Sequence, residues 1–218
     1  MLQDSDVEEL EKGLKLDYAY KESRTLGIKH TVTAINNIAS QTTYEHEYAN
    51  NGESGKNLVG TALHKAMELI DFGLQDKEEV AQYLDELVNG DELSAEQRAM
   101  VDPQIIADCL QLPSIKLAKA NRHFSEKNFV LDIPACEVPD GVKTDDKILL
   151  QGTIDLLIEL PEGYVIVDFK YSSKSDEEIK RSYAKQLELY QLAVESCSKK
   201  KVVSKIIVVI GDSREIIL

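Results

Sequence analysis

This sequence has few cysteines, few basic residues and no long apolar run, and each shortage excludes a class of protein. The three cysteines, Cys109, Cys136 and Cys197, are odd in number and far apart. Such spacing offers neither a disulfide framework nor a cysteine-bound zinc or iron–sulfur cluster. A reducing cytoplasm is the simplest compartment for it. No stretch reaches the run of about 18 apolar residues that a membrane-spanning helix needs. The opening residues, MLQDSDVEELEKGLKL, are acidic and lack an apolar segment, so they do not read as a secretory signal. Lys and Arg number 25 against 39 Asp and Glu, a net charge of −14. Taken alone, that excess of acid argues against a nucleic-acid binder, because phosphate contacts need Lys and Arg.

What is present is ordinary in bulk. The 218 residues suit one medium domain with room for a helical appendage, and 43% hydrophobic with 29% charged residues suits a globular chain. The charge is unevenly spread. Residues 71–108 hold eleven Asp/Glu and two Lys/Arg, whereas residues 163–205 hold six and nine. A basic patch on an acidic protein and a metal-binding carboxylate cluster are both compatible with that distribution. One phosphate-binding pattern is incomplete. NGESGKN has Asn50 where a P-loop needs glycine and Asn57 where it needs Ser or Thr, and no apolar strand precedes it. The chain is therefore expected to bind no nucleotide and to hydrolyse no ATP.

Periodicity divides the chain into a helical first part and a mixed second part. A short acidic helix is predicted over 5–23, and residues 29–40 start extended and pass into a helix capped by Thr31 or Thr33. Residues 41–56 read as a polar loop. Helices are predicted over 57–73 and 77–90, stopping at Gly73 and Gly90. Another opens at 94 on a Ser94–Gln97 capping box, and the helical run continues through 102–111 and 114–124. Strands follow over 127–138, 147–160 and 164–172, the last two joined as a hairpin by LPEGY. A long helix over 177–197 and a strand over 205–211 close the chain. Helices, three strands, a helix and a strand imply an α/β sheet protein.

The hairpin carries the chemistry. In VIVDFK, Asp168 and Lys170 are two apart and share a strand face, and Asp155 in GTIDLL sits on the partner strand. Two adjacent carboxylates repel unless a cation joins them, and hard oxygen ligands suit Mg²⁺ or Mn²⁺. A lysine beside such an ion suits hydrolysis of a phosphodiester. The plainer reading of VDFK is an Asp–Lys pair at the solvated end of an edge strand, and Asp155 beside it favours a site.

In order, the motifs resemble the PD-(D/E)XK nuclease superfamily in its RecB-like branch: a helix with His64 in GTALHKAMELID, Asp155 in GTID, Asp168 and Lys170 in DFK, and Gln186 and Tyr190 in QLELY. The likeness extends to the nuclease domain of the AddA (RexA) family of bacterial ATP-dependent helicase/nuclease subunits. LKLDYAYKESRTLGIKHTVTAIN, RHFSEKNFVLDIPA and LLQGTIDLLIEL fit it too, so nearly the whole chain is covered. FKYSS departs from the Tyr-Lys-Thr more usual there, leaving the metal residues intact.

The resemblance implies a restriction-endonuclease-like mixed sheet flanked by helices, with residues 1–56 as lead-in and loop and 57–218 as the nuclease domain, the two forming one structural unit. It implies one or two Mg²⁺ or Mn²⁺ ions held by His64, Asp155, Asp168 and the backbone carbonyl of Phe169. Catalysis falls to Asp155, Asp168 and Lys170, with Gln186 and Tyr190 supporting the site and the DNA. Glu126 in SEKNF is either a further acidic group at the site or a surface charge, and Asp71 a surface or capping charge. The implied substrate is single-stranded DNA, the strand ending 3′, delivered by a helicase motor in a cytoplasmic bacterial enzyme that processes double-strand ends together with AddB (RexB) as its partner. Two rivals stay open: a stand-alone RecB-like exonuclease, and a nuclease-fold module that only binds DNA or a partner protein.

Overall fold

The computed structural model describes residues 29–41, 53–135 and 146–218. The acidic helix expected over 5–23, most of the loop expected over 41–56, Cys136 and the end of the strand expected over 127–138 lie outside the described residues. Among the described residues no helix is long and apolar enough to cross a membrane.

Strands β1 (Lys29–Thr31), β2 (Arg122–Pro134), β3 (Lys147–Glu159), β4 (Tyr164–Lys170), β5 (Val202–Val209) and β6 (Arg214–Ile217) form one mixed sheet in the order β1-β3-β4-β5-β6, with β2 also on β3. The pairs β1–β3 and β4–β5 are parallel and the others antiparallel. Helices cover both faces, which explains why the central strands are apolar on both sides. On one face, α2 (Glu53–Leu69), α3 (Lys77–Asn89), α4 (Ala95–Met100), α5 (Pro103–Leu110) and α6 (Pro113–Ala120) bring Leu63, Met67, Leu84, Ile106 and Ile115 against Leu156, Val167 and Val208. On the other, α1 (Val32–Gln41) and α7 (Asp176–Ser198) bring Ile35, Leu187 and Val194 against Leu150, Ile166 and Ile207. The expected mixed sheet flanked by helices is present, and the short strand of the lead-in is part of it.

Boundaries differ in four places, each with a local cause. The first turn of α2 takes in residues 53–56 of the expected loop, where only Gly55 disfavours a helix. The same helix ends at Leu69, short of Gly73, because the Asp71 carboxylate accepts the Gly73 N–H at 2.7 Å and turns the chain away. The helix expected over 114–124 stops at Ala120. Arg122–Ser125 instead pair with Leu156–Glu159, so a tertiary partner overrides local propensity. The closing strand runs Val202–Val209 and turns through a 3₁₀ segment, Ile210–Asp212, into β6, which the sequence did not announce. Other expectations match: Thr31 Oγ1 accepts the Ala34 N–H at 3.1 Å, and the Ser94–Gln97 capping box is formed. The β3–β4 hairpin closes on Gly163 at φ 159°, where a Cβ would lie 2.4 Å from the Lys201 carbonyl.

Candidate active site

The site lies where β3 and β4 part. Their ladder runs from Glu159↔Tyr164 to Leu156↔Val167 and goes no further, although Asp155 and Asp168 would be the next pair in that register. There a side chain takes over from the backbone: Asp155 Oδ2 accepts the Phe169 N–H at 2.7 Å. A residue's N–H and C=O project to the same side of an extended strand, so the Phe169 carbonyl also faces Asp155. The second contact to Oδ2 is His64 Nε2 of α2, at 3.0 Å. The Phe169 ring steadies that imidazole edge-to-face, with centroids 6.1 Å apart.

On its other side β3 meets β2, and that ladder is interrupted at one position. Ser125↔Leu156 and Lys127↔Ile154 pair in a common register, with Glu126 opposite Asp155 between them. Glu126 has φ 47°, a left-handed conformation that side chains with a Cβ rarely adopt. The inside–outside phase changes here as well. Ile148, Leu150 and Ile154 serve the core under α1 and α7, whereas Leu156 and Ile158 serve the opposite core. The twist brings Glu126 round to Asp155 and His64, and donor atoms of these three residues lie within 4.8 Å of one another. Oε1 of Glu126 is buried without a hydrogen-bond partner among the described residues.

Beside this trio stands a second group. Asp168 is fully buried, with Lys170 Nζ 2.5 Å from its Oδ2. Gln186 of α7 donates through Nε2 to Asp168 Oδ1 and to the Tyr190 hydroxyl, both at 2.9 Å. The Lys170 ammonium also lies 4.9 Å from the centre of the Tyr183 ring. Tyr183 went unnoticed in the sequence, although it precedes Gln186 by three and Tyr190 by seven, the spacing of one helix face. Every residue that the sequence put forward as a site candidate is therefore gathered here, and Glu126 is with the group. Asp71 is exposed on the turn after α2, as a capping charge.

Five ionisable groups in so small a volume perturb one another. Burial pushes the Asp168 carboxyl up to about 6, with Asp155 adding to the rise and Lys170 opposing it. Asp155 is also buried, but the His64 hydrogen bond, the Lys170 charge and the Phe169 N–H outweigh burial and hold it below the ordinary value. Burial and the Asp155 charge raise Glu126, and the Asp155 hydrogen bond raises His64. The arrangement favours a proton on His64, Glu126 and Asp168 more than free groups would, and favours the ionised form of Asp155. It is a set of oxygen and nitrogen donors short of positive charge.

A cavity of about 520 Å³ opens from Asp155, Lys170, Gln186 and Tyr190 toward β1 and β2. Its far wall carries Thr31, Thr33, Asn128 and Thr153, the last two joined by a 2.7 Å hydrogen bond. Its floor is Gly152, where a Cβ would lie 2.8 Å from the Phe129 ring and 2.9 Å from Val32. Asn128 and Thr153 gave no signal in the sequence, because only the pairing of β2 with β3 brings them together, and Thr31 stood out there only as a cap.

The comparisons agree with the geometry. A family model described as the PD-(D/E)XK nuclease superfamily matches residues 40–215. An ATP-dependent helicase/nuclease subunit of Syntrophomonas wolfei is 30% identical over 91% of this chain, and that of Acetivibrio thermocellus is 32% identical over 71%. The corresponding protein of Heliobacterium modesticaldum is 30% identical over 73%. The matched region is 18%, 13% and 12% of these relatives, so the chain is homologous to a segment of a much larger protein. An Asp-x-Lys strand, a second carboxylate across a parted hairpin and a helical histidine thus stand in the order and fold of a known group of enzymes, and the chain belongs to the PD-(D/E)XK nuclease superfamily.

Proposed function

We propose that this chain is the nuclease domain of an AddA-type helicase–nuclease and hydrolyses phosphodiester bonds in single-stranded DNA with Mg²⁺ or Mn²⁺. The observation that carries this reading is the convergence of His64, Glu126 and Asp155 beside the Asp168–Lys170 pair. The donor set fits a hard divalent cation: two carboxylates, one imidazole and no thiolate. The partnerless Oε1 of Glu126 is an oxygen that such an ion would satisfy. Asp155, Glu126 and His64 would hold it, with Asp168 and the Phe169 carbonyl alongside. When bound, it supplies the positive charge that attack on a phosphodiester requires.

The remaining work falls to the chain's own groups. Lys170, charged and tethered by Asp168, donates to a phosphate oxygen or orients the attacking water. Gln186, which also donates to the Tyr190 hydroxyl, fixes the Asp168 carboxylate to which Lys170 is tethered. An ammonium is no ligand for a cation, so Lys170 serves substrate and water alone. The cavity walled by Thr31, Asn128 and Thr153 receives the strand on one side of the cut.

In its parent protein the domain would take single strands, the one ending 3′, from a helicase motor. It would work with an AddB (RexB) partner in the bacterial cytoplasm, on double-strand ends bound for recombinational repair. Residues 1–56 would serve as lead-in to a catalytic unit over 57–218. A nuclease assay tests the reading: labelled single-stranded and duplex DNA with Mg²⁺ or Mn²⁺, with and without EDTA, for wild type and Asp168→Asn. Chelator-sensitive cutting of single strands that Asp168→Asn abolishes is expected. Cutting that survives EDTA or the substitution overturns it.

A further inference from the structure

We propose that Tyr171 is a stacking platform for the nucleobase beside the scissile phosphate. The inference rests on the nuclease reading and adds a residue that positions the strand. Tyr171 follows Lys170 directly, just past the end of β4, and packs against Gly60 of α2. Phe169 is buried beneath His64, but Tyr171 is 42% exposed. Along α2, Gly60 lies one turn before His64 on the same helix face. The Tyr171 ring therefore sits one helical turn from the imidazole, at the rim of the site.

Its setting makes it rigid. A Cβ on Gly60 would come within 3.3 Å of Tyr171 Cβ and Cδ1, and a Cβ on Gly211 within 2.9 Å of Cε2. One long edge of the ring thus rests on α2 and the other on the 3₁₀ turn after β5. Glycine at both places is what lets the ring lie there. The 42% of the residue that stays exposed is the surface offered to a base. An aromatic ring locked before binding gives up little entropy when a base stacks on it. Every base offers a π-face, so such a platform holds single strands without reading sequence. It would also supply affinity that a chain of net charge −14 cannot draw from phosphate contacts.

Steady-state cleavage of single-stranded oligonucleotides tests this, using intact strands and strands with one abasic residue stepped past the cut. An abasic residue at one flanking position should weaken wild type by about 5- to 150-fold, the range for one base stack. Tyr171→Ala should lose a similar factor on intact DNA, chiefly in KM, and ignore the abasic position. Tyr171→Phe should behave as wild type, because the ring and not the hydroxyl is needed. An abasic scan of wild type without a sensitive position overturns the proposal whatever the fate of the alanine variant. So does Tyr171→Ala with wild-type KM, or with the abasic penalty intact. If wild type cuts no DNA with either metal, the nuclease reading falls as well; if it cuts and Tyr171 is indifferent, only the platform falls.

Discussion

Replacing Glu126 by glycine should stabilise the metal-free protein while weakening its hold on a divalent cation. Glu126 sits at φ 47°, where a residue with a Cβ is destabilised by about 1–2 kcal/mol and glycine is not. Its Oε1 is buried without a partner, and an unsatisfied buried acceptor costs about 1–3 kcal/mol. Burial and the Asp155 charge raise the pKa of this carboxyl, so a proton relieves part of the second cost. The net gain in EDTA should be about 1–3 kcal/mol. For a chain of this size that is roughly 2–12 °C in Tm.

Glu126→Gln separates the two contributions, since it removes the charge and keeps the strained backbone. Thermal melts in EDTA should rank glycine above glutamine above wild type. Saturating Mn²⁺ should narrow or reverse the ranking. A ligand at a hundred times its Kd stabilises by about 2.7 kcal/mol, and a variant short of one donor recovers less. A glycine variant that melts below wild type in EDTA would refute the strain account. An equal Mn²⁺ shift in all three proteins would remove Glu126 from the donor set.

Lys170→Met should keep the Mn²⁺-induced rise in Tm yet cut DNA at least about 100-fold more slowly; loss of the metal shift would show that Lys170 organises the ligands. Gly152→Ala, whose Cβ would meet Phe129 and Val32 at 2.8–2.9 Å, should destabilise by about 1–3 kcal/mol in urea melts, and wild-type stability would mean that the cavity floor yields. Burial lifts the Cys109 thiol from its ordinary 9.0 to about 11, so the fold favours the protonated form. That contribution is complete below pH 9 and lost as pH rises through 11, about 2–3 kcal/mol, and Cys109→Ala should show a correspondingly smaller fall between pH 8.5 and 11.

The order of elements and the candidate site residues were legible because each left a local trace. Asp168 and Lys170 broke an apolar run, Asp155 broke another, and Gln186 and Tyr190 kept helical spacing. The geometry around Glu126 left none. Leu156, Leu157 and Ile158 after Asp155 are apolar on both faces of a sheet covered on both sides, so a change of phase at Asp155 does not disturb the pattern of hydrophobic letters. Glutamate at φ 47° looks like any glutamate, since its conformation is imposed by pairing across to β3. Arg122–Phe124 fall inside the expected helix for the same reason: their strand partners are more than thirty residues away. Asn128 and Thr153 face each other only in the β2–β3 register, which local patterns cannot supply.

The scarcity of Lys and Arg, which first argued against a nucleic-acid enzyme, looks different once the site is assembled. When fully ionised, Glu126, Asp155 and Asp168 carry three negative charges, and Lys170 returns one. With His64 neutral the cluster stands at −2, the deficit that one divalent cation cancels. With His64 protonated through its bond to Asp155, half of that deficit is already met. Proton and metal would therefore compete for one vacancy of charge, and a strand of phosphates would meet a balanced site only with the metal in place. Positive charge supplied in this way is local and exchangeable. It asks little of the surface, where residues 71–108 carry a strong excess of acid. A domain so built would hold DNA weakly, in a salt-sensitive way, and depend on something else to bring the strand to it.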